Sequence, residues 1–417
     1  MKTVQARWAL TETGWQASVK IAIGADGRIE SLIPGAAKRA DGAIADLLLP
    51  AMPNAHCHAF QYQIAGLTER AGGADDSFWT WRERMYEAVD ALDAQRLYDT
   101  ALQLYRRMRR NGYGSVAEFH YVHKAGGAPL EMAQALIEAA RAARLSLLLL
   151  PVLYCRGGFD DSPLSDRQQR FRLSLDEYGS LLQAIAGRRA DHAGLSLGIA
   201  PHSLRGVGAD DLARALELRQ AIVPDCPVHV HIAEQQAEVE QSIAHLGTTP
   251  IRWLCDNAPV DARWVMIHAT HAEPSELDLL ADRDAVICLC TTTEANLGDG
   301  FFNLAHWWQR QGALAIGSDS NVGLDPAEEL RWLEYQARLH QRRRTRLVDA
   351  DCPHPGTSLW RRAVAGGRRA MAISQPGLSV GAPAELLSIR LSDTSLAPDE
   401  ALDDFIFAQR VTAIDAG

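Results

Sequence analysis

The sequence lacks a long hydrophobic run, a surplus of basic charge and a paired set of cysteines. Among its 417 residues, the longest apolar stretch, near Leu145–Cys155, is too short to cross a bilayer. The net charge of −10 argues against a nucleic-acid-binding surface, which is normally basic. We therefore expect a protein that binds neither a membrane nor a nucleic acid.

The seven cysteines show no paired spacing, and their odd number argues against a disulfide framework. This usage favours reduced thiols and a cytoplasmic protein. The first residues, Met1–Ala6, lack the apolar segment of a signal peptide, which favours the same compartment. Cys288 and Cys290 lie two apart in an apolar run, and we interpret them as core residues rather than metal ligands.

Short apolar runs alternate with helical patterns along the chain. Eight runs predict strands: Leu47–Met52, Ser115–Phe119, Leu147–Leu153, Leu195–Ile199, Val228–His231, Trp264–Ile267, Ala285–Leu289 and Ala313–Gly317. Five intervening segments predict helices: Ala94–Asn111, Pro129–Ala143, Leu175–Ala186, Ala209–Ile222 and Ala233–His245. Ser174 stands three residues before Glu177, which is the spacing of a capping box. Continuously apolar strands that alternate with helices are typical of a (β/α)8 TIM barrel.

Both ends of the chain have a different pattern. Ala17–Ile23 and Leu386–Leu391 predict antiparallel strands, and Gly24–Gly27 predicts a turn. We therefore predict an α/β fold with a barrel over residues 47–375. Residues 1–46 and 376–417 would together build a small β lobe beside it.

Ionisable side chains stand at the ends of the predicted strands. His56 and His58, two apart after the first run, would lie on one side of a strand. His231, His268 and Asp319 end the fifth, sixth and eighth runs. The carboxyl ends of barrel strands meet at one face, so these side chains should gather there. Three histidines and a carboxylate suit zinc or a similar divalent ion, with one position open for water.

Most of a zinc coordination shell is filled by His56, His58, His231 and Asp319. His268 is then a further ligand or a hydrogen-bond donor to developing charge, and we favour the donor. A bound ion would lower the pKa of water towards ~7 and make hydroxide available. Asp319 could also take the proton of that water, and Glu234 could carry protons to and from a substrate. His229 shares a face with His231, and we interpret it as part of a lower barrel layer.

In these residues the chain resembles the amidohydrolase superfamily, in its cytosine, guanine and chlorohydrolase-like deaminase branch. The resemblance covers nearly the whole chain and rests on His56-Cys57-His58, on His231 with Glu234, on His268, on Ser318-Asp319 and on Gly381–Ile389. Within that last segment Glu385 replaces the usual Asp. No lysine ends the fourth predicted strand, where members with two metals carry a carbamylated one. The resemblance therefore implies one divalent ion, either zinc or iron, and a homodimer.

A closer likeness is to members that act in bacterial histidine degradation. It involves Pro53–Gln61, Ala117–Tyr121, Arg156–Phe159, Pro201–Arg205 and Gly317–Asn321. It implies hydrolysis of N-formimidoyl-L-glutamate to N-formyl-L-glutamate and ammonia. This substrate has two carboxylates, which call for guanidinium groups.

Five residues are candidates for binding such a substrate: Gln61, Arg82, Tyr121, His202 and Arg205. Arg205 follows the fourth strand, and Arg82 lies in the long connection after the first. Each has a plainer alternative, which is a surface ion pair for Arg205, a helix-face charge for Arg82 and packing for the other three. We further predict that the polar loop Arg156–Phe171 is a lid over the site.

Two other functions stay open at this point. One is a deaminase with one metal that acts on a nucleobase or a triazine, and glutamate-like dicarboxylates should not inhibit it. The other is a metal-binding barrel with a structural or regulatory role. That alternative expects a broken ligand set or a lost Glu234, whereas the sequence keeps all of these residues.

Overall fold

The structure is a computed structural model that describes residues 2–36, 45–70 and 77–416. Its strands are β1 (Lys2–Thr11), β2 (Gly14–Ile23), β3 (Ile29–Ile33), β4 (Ala45–Pro50), β5 (Met52–Cys57), β6 (Tyr113–His120), β7 (Ser146–Leu153), β8 (Leu195–Leu197), β9 (Ala200–Pro201), β10 (Val228–Ile232), β11 (Trp264–His268), β12 (Val286–Leu289), β13 (Ala313–Ile316), β14 (Leu386–Leu391) and β15 (Val411–Ala416).

The α-helices follow the same chain order. They are α1 (Phe78–Asp90), α2 (Ala94–Arg110), α3 (Pro129–Ala143), α4 (Leu175–Arg188), α5 (Ala209–Ile222), α6 (Gln236–Leu246), α7 (Pro250–Asn257), α8 (Pro274–Ala281), α9 (Thr291–Leu297), α10 (Leu304–Gln309), α11 (Pro326–Gln341), α12 (Pro355–Ala370) and α13 (Pro398–Phe407). Short 3-10 helices cover Ala59–Gln63 and Asp166–Arg170. No helix among the described residues is long and apolar enough to span a membrane.

Parallel strands form the predicted barrel. β5 to β8 pair in sequence order, β10 to β13 do the same, and β9 pairs with β7. A bridge between Ile199 and Val228 joins the two groups on one side. On the other side, the backbone N–H of His58 donates to Asp319 O, and that of Asp319 donates to His56 O, both at 3.0 Å. The closure of the barrel therefore places the first and last strand ends against each other.

Strands from both ends of the chain form the predicted small lobe. Its sheet has the order β15-β14-β4-β1-β2-β3, with β4 parallel to β1 and antiparallel to β14. The division of the chain at residues 46 and 375 stays a prediction, and residues 37–44 lie outside the described residues.

One predicted barrel strand was wrong. The run Leu47–Met52 lies mostly in β4 of the lobe sheet, and the first barrel strand is β5, which begins at Met52. Leu47 and Leu49 pack in the large core while Leu48 packs in the separate core of the lobe. A lobe strand covered on both faces has the same continuous apolar pattern as a barrel strand, so the sequence did not distinguish them.

The five predicted helices are confirmed, with boundaries that differ by at most three residues. Ser174 accepts a hydrogen bond from the backbone N–H of Glu177 at 3.2 Å, as the capping box predicts. The segment predicted to begin at Ala233 becomes helical only at Gln236, since Ala233 has a φ of +52°. All seven cysteines have free thiols, and Cys288 and Cys290 are buried in the barrel core as expected.

Candidate active site

Four side chains meet at the carboxyl end of the barrel. The Nε2 atoms of His56 and His231 lie 3.1 Å apart. Asp319 Oδ1 lies 3.4 Å from His56 Nε2 and 3.3 Å from His58 Nε2. Tetrahedral bonds of ~2.1 Å would place the ligand atoms about 3.4 Å apart, so the four residues fit a divalent metal ion.

Hydrogen bonds at the outer ring nitrogens orient two of these histidines. His58 Nδ1 lies 2.9 Å from Phe119 O, and His231 Nδ1 lies 3.1 Å from His202 O. A carbonyl oxygen can only accept, so each Nδ1 carries the proton and each Nε2 presents a lone pair to the centre. Burial lowers the pKa of His56 to about 3, which keeps this imidazole in the neutral form that binds metals. The lone pairs of these ring nitrogens converge without protons between them, and a cation would stabilise this arrangement.

The backbone is strained at several strand ends of this site. Asp319 has a φ of +45°, His268 of +70° and Ala233 of +52°, all in the left-handed region. Such conformations cost on the order of 1–3 kcal/mol each for residues other than glycine. They aim side chains from three strands into one space.

Buried polar side chains hold the Asp319 turn in place. The amide of Asn54 donates to Ser318 Oγ at 2.7 Å and accepts from the backbone N–H of Ser318 at 3.0 Å. Asn321 accepts from Ser318 Oγ at 2.7 Å and donates to His58 O at 3.0 Å. This network ties the eighth strand end to the first.

A second group of residues is placed to handle protons. His268 Nε2 lies 3.9 Å from Glu234 Oε1 and 3.8 Å from Asp319 Oδ2. Burial raises the pKa of Glu234 to about 7, with His268 opposing the shift and Asp319 adding to it. Burial disfavours the charged form of His268, but Glu234, Glu294 and Asp319 together raise its pKa well above the ordinary value. Glu234 can therefore exchange protons near neutral pH, and His268 can donate one.

Sequence reasoning missed Glu294, a buried residue of α9. Its Oε1 lies 3.1 Å from His268 Nδ1 and accepts from the backbone N–H of Cys290 at 2.9 Å. This contact directs His268 Nε2 towards the site. Glu118 was also missed, and it accepts from the backbone N–H of Ala59 at 2.8 Å and from Tyr105 Oη at 2.9 Å. No local spacing marks either residue, because His268 is distant from Glu294 in sequence, and Ala59 and Tyr105 are distant from Glu118.

The predicted substrate-binding residues line one pocket beside these groups. The pocket wall includes Gln61, Arg82, Tyr121, His202 and Arg205, together with His58, His231, Glu234, His268 and Asp319. Gln61 Nε2 donates to Tyr121 Oη at 3.0 Å, while Gln61 Oε1 has no partner. The ring of His202 packs 5.0 Å from that of His231. His229 lies deeper, with Nε2 3.0 Å from Ala370 O, as the lower-layer interpretation expects.

Two guanidinium groups enter this pocket. Arg82 Cζ lies 4.6 Å from the ring centroid of Trp79, and Arg205 Cζ lies 5.8 Å from the same ring. Arg205 is 8% exposed, and neither its Nε nor that of Arg82 has a hydrogen-bond partner among the described residues. Within residues 2–36, 45–70 and 77–416, neither arginine has a carboxylate within 4.0 Å. The surface ion pair considered for Arg205 is therefore not found in that part of the chain.

The loop predicted as a lid packs against α1. Arg167 pairs with Glu83 at 3.1 Å, and Arg170 pairs with Asp90 at 3.2 Å. Arg170 also donates to Val89 O at 2.9 Å. The loop and the helix that carries Arg82 are thus joined, while closure of the loop over a substrate stays a prediction.

Comparison with known proteins places this site in context. Residues 47–410 match the model of the amidohydrolase family, and residues 1–44 match that of the formimidoylglutamate deiminase HutF N-terminal domain. The chain is 44% identical to a formimidoylglutamate deiminase from Pseudomonas aeruginosa over 98% of its length and 91% of that protein.

Solved structures show the same architecture. An amidohydrolase from Brucella melitensis has a TM-score of 0.93 and 39% identity, with 99% of this chain and 92% of that chain covered. An adenosine deaminase from Xanthomonas campestris has a TM-score of 0.80 and 23% identity, with 99% and 91% covered. At that lower identity the likeness shows the fold alone.

Proposed function

The chain belongs to the amidohydrolase family and is a deiminase that hydrolyses N-formimidoyl-L-glutamate; we propose that it does so with one divalent metal ion held by His56, His58, His231 and Asp319. The products are N-formyl-L-glutamate and ammonia. The observation that carries the residue assignment is that three members of this ligand set, His58, His231 and Asp319, line one pocket with two guanidinium groups.

Zinc is the metal that we propose, with iron as the alternative. Three imidazole nitrogens and one carboxylate at the distances seen here suit zinc. When bound, such an ion activates water for attack at neutral pH and polarises the group under attack.

Three residues would move the protons of the reaction. Asp319 is placed to take a proton from the attacking water. Glu234, with its pKa raised to about 7, would start unprotonated, take up a proton during the attack and deliver it to the formimidoyl nitrogen, which then leaves as ammonia. His268, oriented by Glu294, would donate a hydrogen bond to the charge that develops in the group under attack.

The arginines would bind the substrate carboxylates. In the described part of the chain the Nε atoms of Arg205 and Arg82 have no partner, and a carboxylate accepts hydrogen bonds from guanidinium donors in pairs. Tyr121, Gln61 and His202 would complete the contacts around the substrate. A flat nucleobase or triazine offers no carboxylate to these arginines, so their placement favours the glutamate derivative.

An ammonia-release assay tests this proposal directly. Metal-loaded protein should hydrolyse N-formimidoyl-L-glutamate, and L-glutamate and glutarate should inhibit competitively. Adenosine, guanine and a triazine serve as controls that should release little ammonia. Faster turnover of a control than of the glutamate derivative, without inhibition by dicarboxylates, would favour the alternative deaminase.

We also propose that the protein is cytoplasmic and forms a homodimer. Its seven free thiols support a reducing compartment. The dimer rests on the resemblance to families that often form one. Light scattering after size-exclusion chromatography measures the assembly directly.

A further inference from the structure

Two tyrosines that the proposed function does not use also line the active-site pocket. Tyr86 lies on α1, Tyr154 follows β7, and each is only 5% exposed. The Tyr154 ring packs 4.4 Å from that of His202, on the side away from the metal ligands. Arg82 Cζ lies 5.7 Å from the centroid of the Tyr86 ring. The two phenols therefore lie beside the positive part of the pocket.

Gln168 holds the hydroxyl group of Tyr154 in a defined orientation. This residue of the loop 156–171 is 6% exposed, and its Nε2 lies 3.2 Å from Tyr154 Oη. Its Oε1 accepts from the backbone N–H of Ser165 at 2.9 Å. The backbone contact fixes which end of the amide faces the tyrosine, so Gln168 donates there.

This direction leaves the tyrosine hydrogens free. A hydroxyl group has one hydrogen to donate, and it accepts through its lone pairs. When the amide occupies a lone pair of Tyr154, the O–H must find another acceptor. Among the described residues, no acceptor is provided for the hydrogen of either Tyr86 or Tyr154. A hydrogen-bond acceptor that enters the pocket would give the hydroxyl hydrogens of both tyrosines a partner.

A carboxylate is the acceptor that fits this position. It accepts through two oxygens and has no hydrogen of its own, and the neighbouring Arg82 and Arg205 favour a negative charge. The Tyr154 ring packs edge-on against that of His202, which in turn packs at a tilt against that of His231. It thus lies one side chain further from the metal ligands than His202 does. Of the two substrate carboxylates, the one farther from the reacting carbon would reach Tyr154.

We propose that Tyr86 and Tyr154 are specificity-determining residues that donate their hydroxyl hydrogens to the side-chain carboxylate of the substrate, and that Gln168 is the positioning residue that orients Tyr154. The inference rests on the proposed function and extends it to the selection of a five-carbon dicarboxylate. It also gives the loop 156–171 a role in substrate choice.

Steady-state kinetics with three substrates test the proposal. Tyr154→Phe and Tyr86→Phe should each raise KM for N-formimidoyl-L-glutamate about tenfold or more, since a hydrogen bond to a charged group is lost. The value of kcat and the metal content should change little. The same rise should occur with 4-(formimidoylamino)butanoate, which keeps the side-chain carboxylate. It should vanish with N-formimidoyl-L-norvaline, which lacks it.

Variants of Gln168 separate orientation from packing. Gln168→Glu has nearly the same shape, but it accepts the tyrosine hydrogens and repels a carboxylate, so it should raise KM more than Gln168→Leu does. In the Tyr86→Phe/Tyr154→Phe background, Gln168→Leu should add nothing. Gln169→Leu, on the same 3-10 helix with its amide bonded to Leu164 O, is the matched control and should behave as wild type.

The outcomes distinguish the two claims. An unchanged KM in both phenylalanine variants, or an equal rise with the norvaline derivative, would overturn the hydroxyl assignment while leaving the deiminase activity intact. Failure of the wild-type enzyme to hydrolyse N-formimidoyl-L-glutamate would overturn both. Thermal unfolding of each variant shows whether it is folded.

Discussion

The Nδ1 atom of His268 lies 3.1 Å from the Oε1 atom of Glu294, in a space where both side chains are almost fully buried. The carboxylate fixes the ring and leaves Nε2 directed towards Glu234 and Asp319. Glu294 would thus act on the reaction through His268, as outer-sphere carboxylates do with functional histidines.

Replacement of this carboxylate should alter the pH dependence of the reaction. Glu294→Gln keeps the shape but removes a negative charge that raises the pKa of His268. A donor must be protonated, so activity falls as the pH rises through this pKa. The variant should have its alkaline limb at lower pH and a kcat reduced about tenfold or more. A pH–rate profile measures both effects.

The companion variant His268→Asn tests the donor assignment. Turnover should be slow while the metal content stays at the wild-type level. Loss of the metal would instead identify His268 as a ligand. Full activity of Glu294→Gln with an unshifted profile would remove the positioning role.

The metal site should depend on each of its four residues. His56→Ala should abolish activity and lower the metal content, because three remaining ligands bind the ion weakly. Elemental analysis should find one metal per wild-type chain. His229→Gln, two residues before a ligand in the same barrel, should retain the metal. Two ions per chain, or full activity of metal-free protein, would refute the assignment.

Glu234 should control the acidic limb of the pH profile. A base must be deprotonated, so kcat/KM of wild type should fall as the pH drops through the raised pKa of about 7. Glu234→Gln should lose ~10²–10⁴-fold in rate with its metal retained. Stopped assays across the pH range measure this. A variant within twofold of wild type would exclude Glu234 from proton transfer.

Arg205 should determine the affinity for the dianionic substrate. Removing one partner of a buried charge pair costs several kcal/mol, on the order of 2–5, so Arg205→Ala should reduce kcat/KM by orders of magnitude. Arg205→Lys should rescue only in part, since an ammonium cannot form a bidentate pair. Metal content and unfolding temperature serve as controls. Wild-type turnover by Arg205→Ala would show that Arg205 does not recognise a substrate anion.

Substrate should protect the loop 156–171 from proteolysis. The loop is tied to α1 by Arg167 and Arg170, and we expect a bound dicarboxylate to stabilise both segments against opening. Limited proteolysis with and without glutarate measures the cleavage rate. Equal rates would count against a lid.

The sequence by itself determined the barrel and predicted the metal ligands, because both depend on local order. Strand-length apolar runs recur between helices, and His231 and Asp319 stand at or just after the ends of two such runs. The carboxyl ends of parallel strands meet whatever the remaining packing, so His231 and Asp319 could be brought together before any contact was known.

Tertiary structure alone decided which residues support the side chains of the candidate site. Glu294 and Gln168 sit in segments with no distinctive spacing, and they act through atoms that are 26 and 14 residues away in sequence. The division of the first apolar run between the lobe and the barrel also depended on which surfaces cover it. Hydrogen-bond direction and burial on both faces arise only when distant segments pack. A sequence pattern could not predict them, because it records the polarity of a side chain and not its neighbour.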